Sequence, residues 1–162
     1  MQTQLTDLFN QEIAFLKGNP LKGGNMVFSS LRTANNEPIT ATFTGTFAGV
    51  KDGYTENEDI VMLSVDPTTA DLFRHLEDTY EKSDNFNPEF RVYNLVYQGD
   101  VKIKLRHNNG RYAKVLCNFA PKKVASIAYG SPISVSCTIG WYSSNESKTQ
   151  GLFITPKAVR TN

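Results

Sequence analysis

The sequence predicts a mainly β fold with one or two helices: an antiparallel β-barrel over residues 26–160, an N-terminal helix over 1–18 and a second helix inserted between strands. Three observations carry this expectation. From Phe90 onward, apolar and polar residues alternate in short runs separated by turn residues, the pattern of a barrel or sandwich. Two stretches in the first half instead repeat apolar residues at helical spacing. Finally, 162 residues at 40% hydrophobic and 20% charged content suffice for one real core and not for two, so 1–162 reads as a single domain.

The elements follow in order. Leu5, Leu8, Phe9, Ile13 and Leu16 form a helical stripe, with Gly18 as a stop and Pro20 beyond it. After the Gly-rich turn at 22–25, Met26 to Ser30 and Ile39 to Phe47 are rich in β-branched and aromatic residues and read as strands. The run KDGYTENED at 51–59 is a polar, acidic loop leading to the strand Ile60 to Val65. Asp66 is a natural N-cap and Pro67 suits the first helical position, where a missing N–H costs nothing. Leu72, Phe73, Leu76 and Tyr80 give that helix its buried stripe, and SDNFNPE at 83–89 ends it. The later strands are Phe90 to Tyr97, Val101 to Arg106, Arg111 to Phe119, Ile133 to Tyr142 and Gly151 to Arg160. Between the third and fourth of these, PKKVASIAYGSP has room for a helical turn.

Composition narrows the function classes. No apolar run is long enough to span a membrane, and the first residues lack the basic start and apolar stretch of a secretory signal, so a cytoplasmic setting is expected, host cytoplasm if the source is viral. Cys117 and Cys137 sit in apolar runs and read as small core hydrophobes. With His75 and His107 as the only histidines, no zinc or Ser-His-Asp spacing arises, and no cofactor is expected. The net charge of +1 conceals a segregation: residues 1–98 hold 7 Lys or Arg against 14 Asp or Glu, whereas residues 99–162 hold 10 against 2. Such asymmetry points to a polyanionic partner.

The basic excess concentrates in a predicted hairpin around His107-Asn108-Asn109-Gly110. A three-residue loop with Gly110 left-handed pairs Leu105 with Ala113, Ile103 with Val115 and Val101 with Cys117, making one face apolar. The opposite face then gathers Lys102, Lys104, Arg106, Tyr112 and Lys114. Cations beside an aromatic ring suit single-stranded nucleic acid, since cations track phosphates while bases stack on π-faces. The plainer alternative is an exposed hairpin whose lysines guard an edge. Further along, Tyr142 at a strand end is a second stacking candidate, and Phe153, Lys157 and Arg160 extend the basic-aromatic surface.

The stretch GSPISVSCTIGWYSSNESKTQGLFITPKAVR resembles the closing strands of small phage-type single-stranded DNA-binding proteins of the OB fold. It shares a Gly-led strand ending in aromatics, a polar loop and a last strand running into Lys and Arg. Over residues 90–160 the resemblance implies an OB-like barrel, and it assigns DNA contact to the 101–118 hairpin, hence to Lys102, Lys104, Arg106, Arg111, Tyr112 and Lys114. Many such proteins end in an acidic tail that recruits replication partners, whereas this chain closes with PKAVRTN.

The expected function is therefore non-enzymatic coating and protection of single-stranded DNA, with RNA left open, in phage DNA replication or recombination. Replication proteins and further copies of the chain are additional candidate partners. Two rivals stand beside it: a viral β-sandwich subunit whose N-terminal helix bridges neighbours, and a nuclease binding Mg²⁺ through Glu56, Glu58 and Asp59.

Overall fold

The computed structural model describes residues 2–4, 13–15, 19–20, 26–33, 40–53, 56–109, 112–113 and 127–161. Its elements are β1 (Gln2–Gln4), β2 (Ile13–Phe15), β3 (Asn19–Pro20), β4 (Met26–Thr33), β5 (Thr40–Asp52), β6 (Glu58–Ser64), α1 (Pro67–Glu81), β7 (Arg91–Tyr93), β8 (Val96–Tyr97), β9 (Asp100–Arg106), β10 (Pro132–Ser144) and β11 (Thr149–Thr161). The sheet runs β2-β4-β10-β5-β6-β9-β8, with β11 on the other edge of β10 and β7 beside β11. Within it, β10-β5-β6-β9 has the spatial order of a Greek key, the fourth strand returning beside the first.

The long ladders are antiparallel, but β1 pairs parallel with β5, and β7 parallel with β11, so the sheet is mixed. Cα atoms of β9 and β11 approach within 8 Å. No ladder joins them among the described residues, and the sheet as hydrogen-bonded is open.

Alternation sets the core. Phe43 and Phe47 of β5, Val61 and Leu63 of β6, Ile103 and Leu105 of β9, Val135 and Trp141 of β10, and Leu152 and Ile154 of β11 share one buried cluster on the inner face. Helix α1 packs on that face through Leu72, Phe73, Leu76 and Tyr80, the residues its sequence stripe predicts. Phe73 meets Phe43 edge to face at 5.2 Å, and Tyr80 lies 5.8 Å from Trp141. Burying each such side chain contributes about 1.5–3 kcal/mol. Asp66 caps the helix as expected, its carboxylate accepting from the Thr69 N–H at 2.7 Å. That bond holds the Asp66 carboxyl below the usual range.

The helix predicted over 1–18 is not what the structure shows at its two ends. Gln2–Gln4 pair with Thr40, Ala41 and Thr42, and Ile13–Phe15 pair with Thr33, Arg32 and Leu31. Short apolar runs read ambiguously by periodicity, and strand pairing decides here. Residues 5–12 lie outside the described residues. No helix among the described residues is long and apolar enough to cross a membrane.

The chain from 83 to 90 is tied to β11 by a buried amide. Gln150, fully buried, accepts from the Tyr80 hydroxyl and the Asn87 N–H at 3.0 Å each through Oε1, while Nε2 donates to the carbonyls of Asn87 and Phe90.

Candidate nucleic-acid interface

Strand β9 is built by alternation. Val101, Ile103 and Leu105 are at most 1% exposed, which forces Lys102, Lys104 and Arg106 onto the outer face, where all three are exposed. Their partners on β6 are Met62, Ile60 and Glu58, respectively. One strand further, Gly49 pairs with Met62 and Lys51 with Ile60. Lys51 therefore joins the face, with Ile60 between it and Lys104. Ile60 is only 6% exposed, and the flanking lysine stems are placed to cover it.

Two strand spacings separate Lys51 from Lys104, about 10 Å. Their repulsion with solvent-like screening is about 0.4 kcal/mol, a cost the fold bears easily. Among described acids, Glu58 stands opposite Arg106, and Asp100 lies at the other end of β9. The face thus carries Lys51, Lys102, Lys104 and Arg106 against two carboxylates. Lys51 was missed from sequence because its face depends on the register shift between Phe47 and Gly49.

At the upper end of β9 the structure corrects the hairpin reading. Tyr112 is 4% exposed and its hydroxyl donates to Asp59, so its ring is not on the basic face. Ala113, predicted apolar-side, is exposed, and the inside-outside parity of these two residues is inverted. Val101 is flanked by Leu63 on one side and Val96 on the other, which leaves no edge for Cys117. The His107 imidazole stands 3.9 Å from the Asp59 carboxylate and edge-on to Tyr112. An acceptor that draws Tyr112 inward comes from β6, far away in sequence. Arg111, Lys114 and Cys117 lie outside the described residues.

Glu58 and Asp59 are neighbours on a strand and so face opposite ways, Glu58 with Arg106 and Asp59 with Leu105. They do not converge on one ion. Among the described residues, no three His, Cys, Asp or Glu side chains are grouped to hold a metal.

The remaining predicted residues lie on β10 and β11. Tyr142 pairs with Gly151, Phe153 with Gly140 and Arg160 with Ser134, all on the outer face, and the Tyr142 and Phe153 rings are 6.4 Å apart. Lys157 is the extra residue at the register shift beside Ser136 and Cys137, and is exposed. Along the hydrogen-bonded path, β6 and β5 separate Tyr142 from β9, and β10 as well separates the β11 residues from it, so register does not set them in one row with Lys102 and Lys104. Trp141 is core, 2% exposed.

Among the described residues, three aromatics that sequence reading passed over are the exposed ones: Tyr93 at 49%, Tyr97 at 69% and Tyr129 at 77%. The Arg91 guanidinium lies 5.1 Å from the Tyr93 ring centre, in cation–π range. Tyr97 precedes the Gln98-Gly99 turn and Tyr129 precedes Gly130 within its own turn, a signal present in the sequence. Comparison with known proteins gives no matching family model, no matching curated protein and no matching solved structure.

Proposed function

We propose that the protein binds single-stranded DNA without sequence preference and coats it during phage-type DNA replication or recombination. The observation that carries this reading is the outer face of β9: three exposed cations in one row, backed by apolar residues and widened by Lys51 on β5. Such a face suits a flexible polyanion whose phosphates the lysines track.

The topology supports an OB-like barrel. The Greek-key order, the hairpin β10-β11 added to it, and the approach of β9 to β11 match a partly open five-stranded barrel with α1 against its interior. In that frame β6 and β9 are the second and third strands, the face such barrels use for oligonucleotides.

The mechanism is binding. Each bound length of single strand shifts the duplex equilibrium toward the melted state, since paired bases are hidden from protein side chains.

The test is oligo-dT binding across a salt series. Micromolar or tighter affinity at low salt, falling as salt rises, is expected, with the slope reduced when Lys102 and Lys104 are replaced by Gln. No affinity at low salt overturns the proposal, and a defined assembly formed without nucleic acid would favour a structural subunit instead.

A further inference from the structure

We infer that Tyr97 and Tyr129 are a pair of base-stacking positions on either side of Lys102, so that the site grips bases as well as phosphates. This rests on the nucleic-acid reading and deepens it. The two side chains are the most exposed large aromatics among the described residues; Tyr97 lies on the face that carries the lysines, and the Tyr129 hydroxyl reaches that face at Gly49.

Tyr97 pairs with Asp100, whose side of β9 is also that of Lys102, two residues on. Diagonal neighbours of this kind lie about 7–8 Å apart. Tyr129 reaches the same face from the opposite side. It lies over Gly49, where an added Cβ would stand 3.4 Å from the Tyr129 hydroxyl and 3.1 Å from the Met62 methyl. Gly49, Met62 and Lys102 form one cross-strand row. From β5 to β8 the span is three strand spacings, about 14 Å. That length leaves room for a short stretch of single strand between the rings, with its phosphates over Lys102.

Both rings are held by their backbones. Tyr97 opens a two-residue turn in which Gln98 and Gly99 have φ of 51° and 83°, the type I′ geometry that fixes hairpin register. The Gly99 carbonyl also accepts from the Val65 N–H at 2.9 Å, tying that turn to the end of β6. Tyr129 occupies the second position of a turn closed by Ser131 N–H to Ala128 carbonyl at 3.1 Å, with Gly130 at φ 82°, as type II requires. This turn is clamped to β5 twice: Gly130 N–H donates to the Phe47 carbonyl, and Phe47 N–H to the Ser131 carbonyl, each at 2.9 Å. Phe47 also supports the ring, 5.3 Å from it and tilted 56°. An exposed tyrosine on a pinned turn loses little freedom when a base stacks on it, which is the economy that makes tyrosine frequent in recognition surfaces.

The experiment compares oligo-dT with an abasic oligomer of equal length, which keeps the phosphates and removes the bases. Wild type, Tyr97→Leu, Tyr129→Leu, the double variant and the two Phe replacements are titrated at fixed salt and across a salt series. Each Leu variant is expected to lose about 5- to 100-fold in oligo-dT affinity, with its salt slope and abasic affinity unchanged, and each Phe variant to bind as wild type. Equal oligo-dT affinity in wild type and the double Leu variant overturns the stacking pair while leaving the phosphate-binding reading intact. Equal loss on both oligomers also overturns it, because bases would not be the group recognised. Absence of wild-type binding to either oligomer overturns both the pair and the function beneath it.

Discussion

Replacing Gln150 by Leu tests how the helix side of the molecule is fastened to the sheet. The substitution keeps most of the side-chain volume but removes an amide that makes four hydrogen bonds. The Tyr80 hydroxyl, on a side chain 1% exposed, then has no water to turn to, a cost of about 1–3 kcal/mol. Asn87 and Phe90 are half-buried, so their backbone groups regain water in part, at about 0.5–1 kcal/mol for each lost bond. Together the loss is about 3–5 kcal/mol, a large share of the ~5–15 kcal/mol that stabilises an ordinary domain. In urea, with a slope of about 2 kcal/mol/M, the midpoint should fall by about 1.5–2.5 M. Trp141, buried and 5.8 Å from Tyr80, gives the fluorescence signal, with far-UV circular dichroism as the second probe. Tyr80→Phe removes only one bond and should cost about 0.5–1.5 kcal/mol. A loss below about 1 kcal/mol for Gln150→Leu would show that the amide is not the fastening its geometry implies.

Three further outcomes are expected. Burial outweighs the Leu95 N–H bond and raises the half-buried Glu77 carboxyl above its ordinary range. Its contribution is therefore fully present below the ordinary glutamate value and lost as pH rises through the folded-state value, so Glu77→Gln should gain on wild type as pH rises from the ordinary glutamate value through the folded-state one in chemical denaturation; a pH-independent difference contradicts this. Asp66→Ala should cost about 1 kcal/mol at neutral pH by calorimetry, and the difference should shrink in acid, because a lowered carboxyl stabilises above its unfolded value and loses that as pH falls through the folded one. Burial pushes the Cys137 thiol up to about 12, so it should resist thiol reagents in the native protein and react on unfolding; rapid native-state labelling assigned to Cys137 by mass spectrometry contradicts its place in the core.

What the sequence made legible was local. The Asp66-Pro67 start, the stripe of α1 and the alternation of β9 each follow from neighbouring residues, and the structure has them in place. The alternation alone sorts Lys102, Lys104 and Arg106 outward. What was not legible depended on partners distant in the chain. Tyr112 goes inward because Asp59, 53 residues away, accepts its hydroxyl. Lys51 and Tyr129 reach the lysine face through a strand irregularity at Gly49 and a turn clamped on Phe47, neither visible as a period. Ile13–Phe15 form a strand because β4 offers an edge.

The charge segregation along the chain acquires a spatial meaning through α1. The helix packs on the inner face, and its exposed surface carries Asp66, Asp71, Asp78 and Glu81 against Arg74 and Lys82, while Lys51, Lys102, Lys104 and Arg106 occupy the outer face of the same sheet. Acidic helix and basic strands thus lie on opposite sides of one layer. The helix acids stand at least a helix diameter, about 10–12 Å, beyond the sheet. At 0.1–0.15 M salt the Debye length is about 8–10 Å, so they leave the potential at the lysines largely undiminished. At about 0.01 M it lengthens to about 30 Å, and a polyanion feels both sides, drawn to one and repelled from the other. On the proposed function, sequence asymmetry of this kind would orient an approaching strand at low salt, and holding it would fall to Lys51, Lys102, Lys104 and Arg106.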